Sequence, residues 1–362
     1  MPRSLVRPLA AALAALACTG RAAAAAPPRT SPLVVAEAEQ EGVVVVYATT
    51  DPGAAKPLLD DFAAVYPRVK VEYHHIYSSA LYDRFLREAR GGRSADVLWS
   101  SAMDLQMKLA NDGYASEYRS PETEHLPAWS FWRDEAYGTT FEPLVFTYAT
   151  SLLRPEEVPR SHRELARLLR DHPERFRGRV ASYDPERSGV GCLLLTNDAR
   201  SDPAFEDTVR AYGAARVKLY RSTIDVLDGI ASGEHLIGFN AIASYALERQ
   251  RQGAAIGIVY PEDYTLVLSR IAIIPKVAPH PGAAKVFLDY LLSARGQEVA
   301  ANASGLGSVR ADVPGELTAA RLSTRLGARL RPIAVGPKLL VYLDQANRAA
   351  FLRRWRRLLD GK

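Results

Sequence analysis

A strand that ends in a polar turn and runs straight into a helix recurs along this sequence, and that unit restricts the chain to few folds. Val43 to Tyr47 is a continuous, mostly β-branched apolar run ending in Ala48-Thr49-Thr50-Asp51-Pro52-Gly53. After it Ala55, Leu58, Leu59, Phe62 and Val65 line one face, the period of an amphipathic helix. Val69 to Tyr73 reads as a strand, Leu81 to Arg90 as a helix, and Ala95-Asp96-Val97-Leu98-Trp99 as a buried strand ending in Ser100-Ser101. Such alternation predicts a largely parallel sheet with helices on its faces.

Phe141 to Tyr148 is extended and lacks helical period, and a proline-punctuated stretch to Pro159 follows it. We read this run as a crossing into a second α/β lobe. That lobe has a helix from Arg163 to Leu169, a strand from Arg179 to Ser182, a loop from Tyr183 to Gly191, a helix from Asp225 to Ser232 and a strand from His235 to Asn240. Leu266 to Ile274, apolar and extended, returns the chain to the first lobe. Pro281 to Leu292 then sets Ala284, Phe287, Leu288 and Leu291 on one helical face. The expected division is 31–143 with 270–362, including the C-terminal helices, as lobe 1, and 144–269 as lobe 2.

The N-terminus explains the rest of the length. Basic Met1 to Arg7, an apolar stretch from Leu9 to Ala17 and small residues up to Ala26 read as a secretory signal peptide, 1–26. Cleavage near Ala26 is favoured over lipoprotein processing at Cys18, which places the protein in the periplasm and leaves Cys192 as a lone cysteine. About 335 residues remain, more than one core usually serves. Without Arg3, Arg7 and Arg21 the charge is nearly balanced, so nucleic acid is not an expected partner. The basic run Arg353 to Arg357 falls near the end of a helix expected from about Lys338, where arginines complement the helix dipole.

These segments resemble a known family: the periplasmic solute-binding proteins of bacterial ABC importers, type 2 fold, in the ferric-iron or iron(III) branch. The resemblance rests on Val45-Val46-Tyr47-Ala48-Thr49, on Ala95 to Trp99 with its serine pair, and most specifically on Ile273-Ile274-Pro275-Lys276, Ala278-Pro279-His280-Pro281, Ala284 to Leu292 and Ser293-Ala294-Arg295-Gly296-Gln297. It implies two α/β lobes joined by a two-strand hinge, a ligand in the cleft, and a closed form that the importer recognises. It also implies a monomer that delivers its small-molecule ligand to an ABC permease, or alternatively to a membrane sensor kinase. Members that hold iron use paired tyrosines, with a histidine and a carboxylate from the first lobe. Here Asp51 and Ser101 stand where those helpers would, and Gly238-Phe239-Asn240-Ala241-Ile242-Ala243-Ser244-Tyr245 lacks the pair. A variant iron site would draw on Tyr245, Tyr260, Asp263 and Tyr264.

The loops instead offer hydroxyls and helix starts, where free N–H groups and the helix dipole attract oxyanions. The candidate ligand residues are Thr49, Thr50, Ser100, Ser101, Ser188, Gly189, Val190, Asn240, Tyr245 and Tyr264. Thr49, Ser100 and Ser101 serve equally well as helix caps, Asn240 as a cap or a ligand group, and Tyr264 as a cleft wall or a packed aromatic. Ser188-Gly189-Val190-Gly191 reads as loop punctuation or as an anion cradle, with Arg187 beside it. A small anion such as a phosphate ester, phosphonate or carboxylate is the expected guest. No metal and no cofactor is expected. The sequence has no His-Glu-x-x-His, Gly-x-Ser-x-Gly, Walker loop or Cys-x-x-Cys, so an enzyme is not expected.

Overall fold

The computed structural model describes residues 27–361; the expected signal peptide, 1–26 with Cys18, lies outside the described residues. In chain order the first lobe has α1 (Pro32–Glu41), β1 (Val43–Ala48), α2 (Pro52–Val65), β2 (Lys70–His75), α3 (Ser78–Ala89), β3 (Val97–Ser100), α4 (Met103–Asn111), β4 (Phe131–Trp132) and β5 (Ala136–Gly138). The chain then enters the second sheet through β6 (Glu142–Ala149), followed by α5 (His162–Asp171), α6 (Pro173–Phe176), β7 (Val180–Tyr183), α7 (Gly189–Ser201), α8 (Phe205–Ala214) and β8 (Lys218–Tyr220). That lobe continues with α9 (Thr223–Ala231), β9 (Ile237–Ile242), α10 (Ala243–Arg251), β10 (Ile256–Val259) and β11 (Thr265–Leu268). The return adds β12 (Ile271–Ile273), α11 (Pro281–Leu292) and α12 (Ala294–Asn302); α13 (Ala319–Leu326), β13 (Leu330–Pro332) and α14 (Gln345–Leu359) end the chain.

Two sheets result, ordered β2-β1-β3-β12-β5-β4 and β13-β11-β6-β9-β7-β8, with β10 also on β6. Strands linked by helices pair in parallel, β1 with β2 and β3, and β7 with β8 and β9, as crossover connections demand. The strands carrying the chain between lobes enter from the opposite side. They therefore pair antiparallel, β12 with β3 and β6 with β9 and β11, which makes each sheet mixed.

Apolar β-branched runs form the buried strands, and the helix stripes cover them. Phe62 on α2 is fully buried, edge-on to Phe287 at 5.1 Å and Tyr290 at 5.4 Å. Truncating such a ring to alanine costs about 3–5 kcal/mol. In the second lobe Phe146, Phe176, Val209, Tyr212 and Phe239 form the corresponding core.

Three expectations change. The run from Leu266 to Ile274 is two strands, because Ser269-Arg270 interrupts it between the sheets. The first crossing lies just before Glu142, where Thr139 N–H donates to Arg270 O at 2.9 Å. The C-terminal helix starts at Gln345, capped by Asp344, after a 3-10 segment over Pro337–Tyr342. It packs Phe351, Trp355 and Leu358 into the second lobe's core, while β13 joins that lobe's sheet beside β11. The end of the chain thus packs with lobe 2, where Phe351 of α14 stacks on Phe205 of α8 at 6.2 Å.

Candidate functional site

One cavity of about 390 Å³ lies between the lobes, lined by both and by Arg270 from the second crossing. Helix starts converge on it. Asp51 caps α2, accepting from Gly53 N–H at 3.0 Å; Ser188 caps α7, accepting from Gly191 N–H at 3.2 Å; Ser222 caps α9, accepting from Asp225 N–H at 3.2 Å. The starts of α3, at Tyr77 to Ala80, and α10, at Ile242 to Tyr245, carry no side-chain cap. Free N–H groups of a first turn attract anions through their partial positive charge.

The cavity floor is built on an ion pair that fastens the two crossings together. Arg270 donates from Nε to Glu142 Oε1 at 2.8 Å and from Nη2 to Glu142 Oε2 at 3.0 Å, and both residues are buried. Thr140 and Ser244 hydroxyls donate to the same carboxylate, each at 2.8 Å. Burial opposes the Arg270 charge, but Glu142 outweighs it and the guanidinium pKa is raised, so this group is always a cation. Its Nη1 has no hydrogen-bond partner among the described residues. Unpaired donors on a buried guanidinium are costly unless something occupies them.

Tyr245 completes this floor. Its hydroxyl oxygen accepts from Arg270 Nη2 at 3.2 Å and from Asp51 N–H of the opposite lobe at 3.4 Å. Its own proton has no acceptor among the described residues. Thr49 Oγ1 accepts from Ser101 N–H at 2.9 Å and lies 3.2 Å from Ser101 Oγ. Arg187 and Arg221 stand exposed at the rim without an ion-pair partner among the described residues. The arrangement presents donors and positive charge, and it suits a guest rich in acceptors.

Of the residues singled out in the sequence, Thr49, Ser101, Ser188, Val190 and Tyr245 line the cavity. The others do not. Thr50 is buried, its hydroxyl has no partner among the described residues, and its carbonyl accepts from Tyr73 Oη at 2.5 Å. Ser100 Oγ accepts from Ala102 N–H at 3.2 Å. Gly189 packs against the first lobe, where an added Cβ would stand 3.1 Å from Ser78 Oγ and 3.2 Å from Leu105 Cδ1. Gly191 is required for a different reason: its Cβ would lie 2.8 Å from that of Tyr183.

Asn240 and Tyr264 meet elsewhere. Asn240 sits inside β9 with φ of 56°, in a stretch where the register against β6 shifts, so it is not a helix cap; that position falls to Ile242. Its Nδ2 donates to Asp198 Oδ2 at 2.6 Å, and Tyr264 Oη donates to Asp198 Oδ1 at 3.0 Å. Tyr264 stacks on His162 at 4.1 Å, and His162 in turn faces Asp263 at 3.0 Å. Burial pushes the Asp198 carboxyl up.

Arg270, Arg221, Ser222, Thr223, Tyr77 and Ser78 also line the cavity and were not anticipated. Ser222-Thr223-Ile224-Asp225 before an apolar run is a capping signature that marks a helix start, and it was available. Arg270 gave no such signal, for it reads as a lone interruption of a strand.

Residues 43–304 match the family of bacterial extracellular solute-binding proteins. A crystal structure of the substrate-binding protein of an ABC transporter from Agrobacterium tumefaciens is 38% identical, with TM-score 0.83 over 88% of this chain and 94% of that one. The periplasmic binding protein AfuA from Actinobacillus pleuropneumoniae, solved with exogenous fructose-6-phosphate, is 20% identical with TM-score 0.73 over 88% and 99%. Apo ferric ion-binding protein A from Pasteurella haemolytica is 20% identical with TM-score 0.68 over 88% and 98%. This chain belongs to the bacterial extracellular solute-binding proteins and has their type 2, two-lobed periplasmic-binding fold. The resemblance to solute-binding proteins of ABC importers therefore holds.

The residues named for a variant iron site are differently engaged. Tyr264 and Asp263 serve Asp198 and His162, the Tyr260 ring lies 4.5 Å under Arg325, and Tyr245 alone lines the cavity. Among the described residues, no group of three or more His, Cys, Asp or Glu is placed to hold a metal.

Proposed function

We propose that this protein captures a small anion, a phosphate ester, phosphonate or carboxylate, between its lobes outside the cytoplasmic membrane and hands it to the permease of an ABC importer. The observation that carries the reading is the buried Arg270, paired with Glu142 on one edge and presenting unpartnered N–H groups to the cavity on the other. Tyr245 O–H, Ser101 and the uncapped starts of α3 and α10 surround the same space. A neutral guest would leave that charge without a counter-ion beyond Glu142 and the donors without acceptors. The fructose-6-phosphate carried by AfuA supports the class, since it is an anion held in the same fold.

Calorimetry with a panel of phosphate esters, phosphonates and carboxylates, alongside Fe(III), tests this reading. Saturable binding of at least one anion, lost on Ser101→Asp through like-charge repulsion, is the expected result. Binding of Fe(III) alone overturns it.

A further inference from the structure

The donors occupy only part of the cavity wall, and rings form much of the rest. His75, Tyr77, Tyr183 and Tyr245 all line it, together with Val190, Ile224 and Ile242. The Tyr183 hydroxyl is hydrogen-bonded to Thr223 Oγ1 at 2.6 Å, which fixes its ring on the cavity wall. Tyr77 stands at the start of α3 with 64% of its surface exposed, and its ring lies 5.9 Å from that of His75. It is the one large exposed apolar residue, among those described, that borders the cavity.

A cavity of about 390 Å³ is also far larger than a bare oxyanion needs, given that water occupies ~30 Å³ in the liquid. The two carboxylates on the wall are tied into helix caps through one oxygen each, Asp51 to Gly53 N–H and Asp225 to the Ser222 hydroxyl. An aromatic body gains from covering exposed ring surface and from face or edge contact with tyrosines.

We infer that the ligand is a ring-bearing anion, an aromatic or heteroaromatic phosphate ester or acid, whose charged group meets Arg270 and Tyr245 and whose flat body lies between Tyr183 and Tyr77. The inference rests on the anion reading above and narrows it.

The test is calorimetry of the purified protein with phenyl phosphate, glucose 6-phosphate and inorganic phosphate, and with benzoate against acetate. The aromatic member of whichever series binds is expected to be about tenfold tighter than its non-aromatic counterparts, the gain of two or more ring contacts. Tyr77→Ala is expected to weaken the aromatic ligand about five-fold more than the non-aromatic ones, while Tyr77→Phe retains the preference. Tighter binding of glucose 6-phosphate, inorganic phosphate or acetate, or an aromatic affinity indifferent to Tyr77→Ala, overturns the inference and leaves the anion reading standing. A folded protein that binds none of the five overturns the ring inference, and one that also binds no other anion of the wider panel overturns the anion reading with it.

Discussion

Two buried polar networks, one at the crossing of the lobes and one inside the second lobe, use similar residues to opposite ends. At the crossing Arg270 and Glu142 gather Thr140, Ser244 and Tyr245, and Arg270 Nη1 with the Tyr245 proton is left without a partner beside the cavity. In the second lobe Asp198 gathers Asn240 and Tyr264, and His162 with Asp263 closes the set away from the cavity. Both contain a tyrosine that the sequence marks as a candidate. On the proposed reading, what separates a ligand group from a structural one is unfilled hydrogen-bonding capacity that borders the cavity, and not residue type or burial.

The contrast breaks most visibly at Arg270. Arg270→Met leaves Glu142 buried without its cation, and chemical denaturation should show a loss of about 3–5 kcal/mol. Adding Glu142→Gln should recover most of that stability without restoring anion binding; recovered binding would mean that Arg270 is only structural. Next comes Tyr264→Phe, which removes one of two donors from the Asp198 carboxylate. A stability loss of about 1–3 kcal/mol with unchanged ligand affinity is expected.

Tyr245→Phe should do the reverse. Affinity for the bound anion falls about tenfold, while stability falls less than in Tyr264→Phe, because the freed Arg270 N–H faces the cavity and its water. Equal effects of the two tyrosine changes on affinity would erase the distinction between the networks.

Asp289 provides a smaller test of a third, fully engaged carboxylate. Its oxygens accept from Ser120 Oγ at 2.7 Å, Tyr118 Oη at 2.8 Å and Thr30 Oγ1 at 2.9 Å, and burial outweighs them, raising its pKa to about 6. An unfolded aspartate titrates near ~3.9. Between those values the folded state keeps a proton that the unfolded state has released, so this group's contribution to stability falls as pH rises through that window. Asp289→Asn should flatten that decline relative to the unmodified protein, by on the order of 1 kcal/mol in paired denaturation curves at pH 4 and 7.

The sequence was most informative where local pattern decides structure. The β-branched run at Val43 to Tyr47 and the stripe through Phe62 determine β1 and α2, and Ser188 before two glycines marks the start of α7. Partners far apart along the chain leave no such trace. Glu142 and Arg270 are separated by 128 positions, and each alone looks like a polar residue misplaced in a strand. Asn240 misled for a related reason: β9 continues past it to Ile242 through an irregular register, and only tertiary pairing shows that. The C-terminal helix was assigned by chain continuity, whereas its apolar stripe finds cover on α8.

The segment between β13 and α14 has a mechanical consequence. Both of its ends are fixed to the second lobe, yet Val335 N–H donates to Trp129 O of the first lobe at 2.8 Å, and Ile333, Val335 and Leu339 share a core with Met103 and Met107 of α4. Parting the jaws would strip those aliphatic side chains from α4 and wet them. If the lobes part as the hinge of this fold implies, these contacts oppose opening in addition to whatever the two crossing strands contribute.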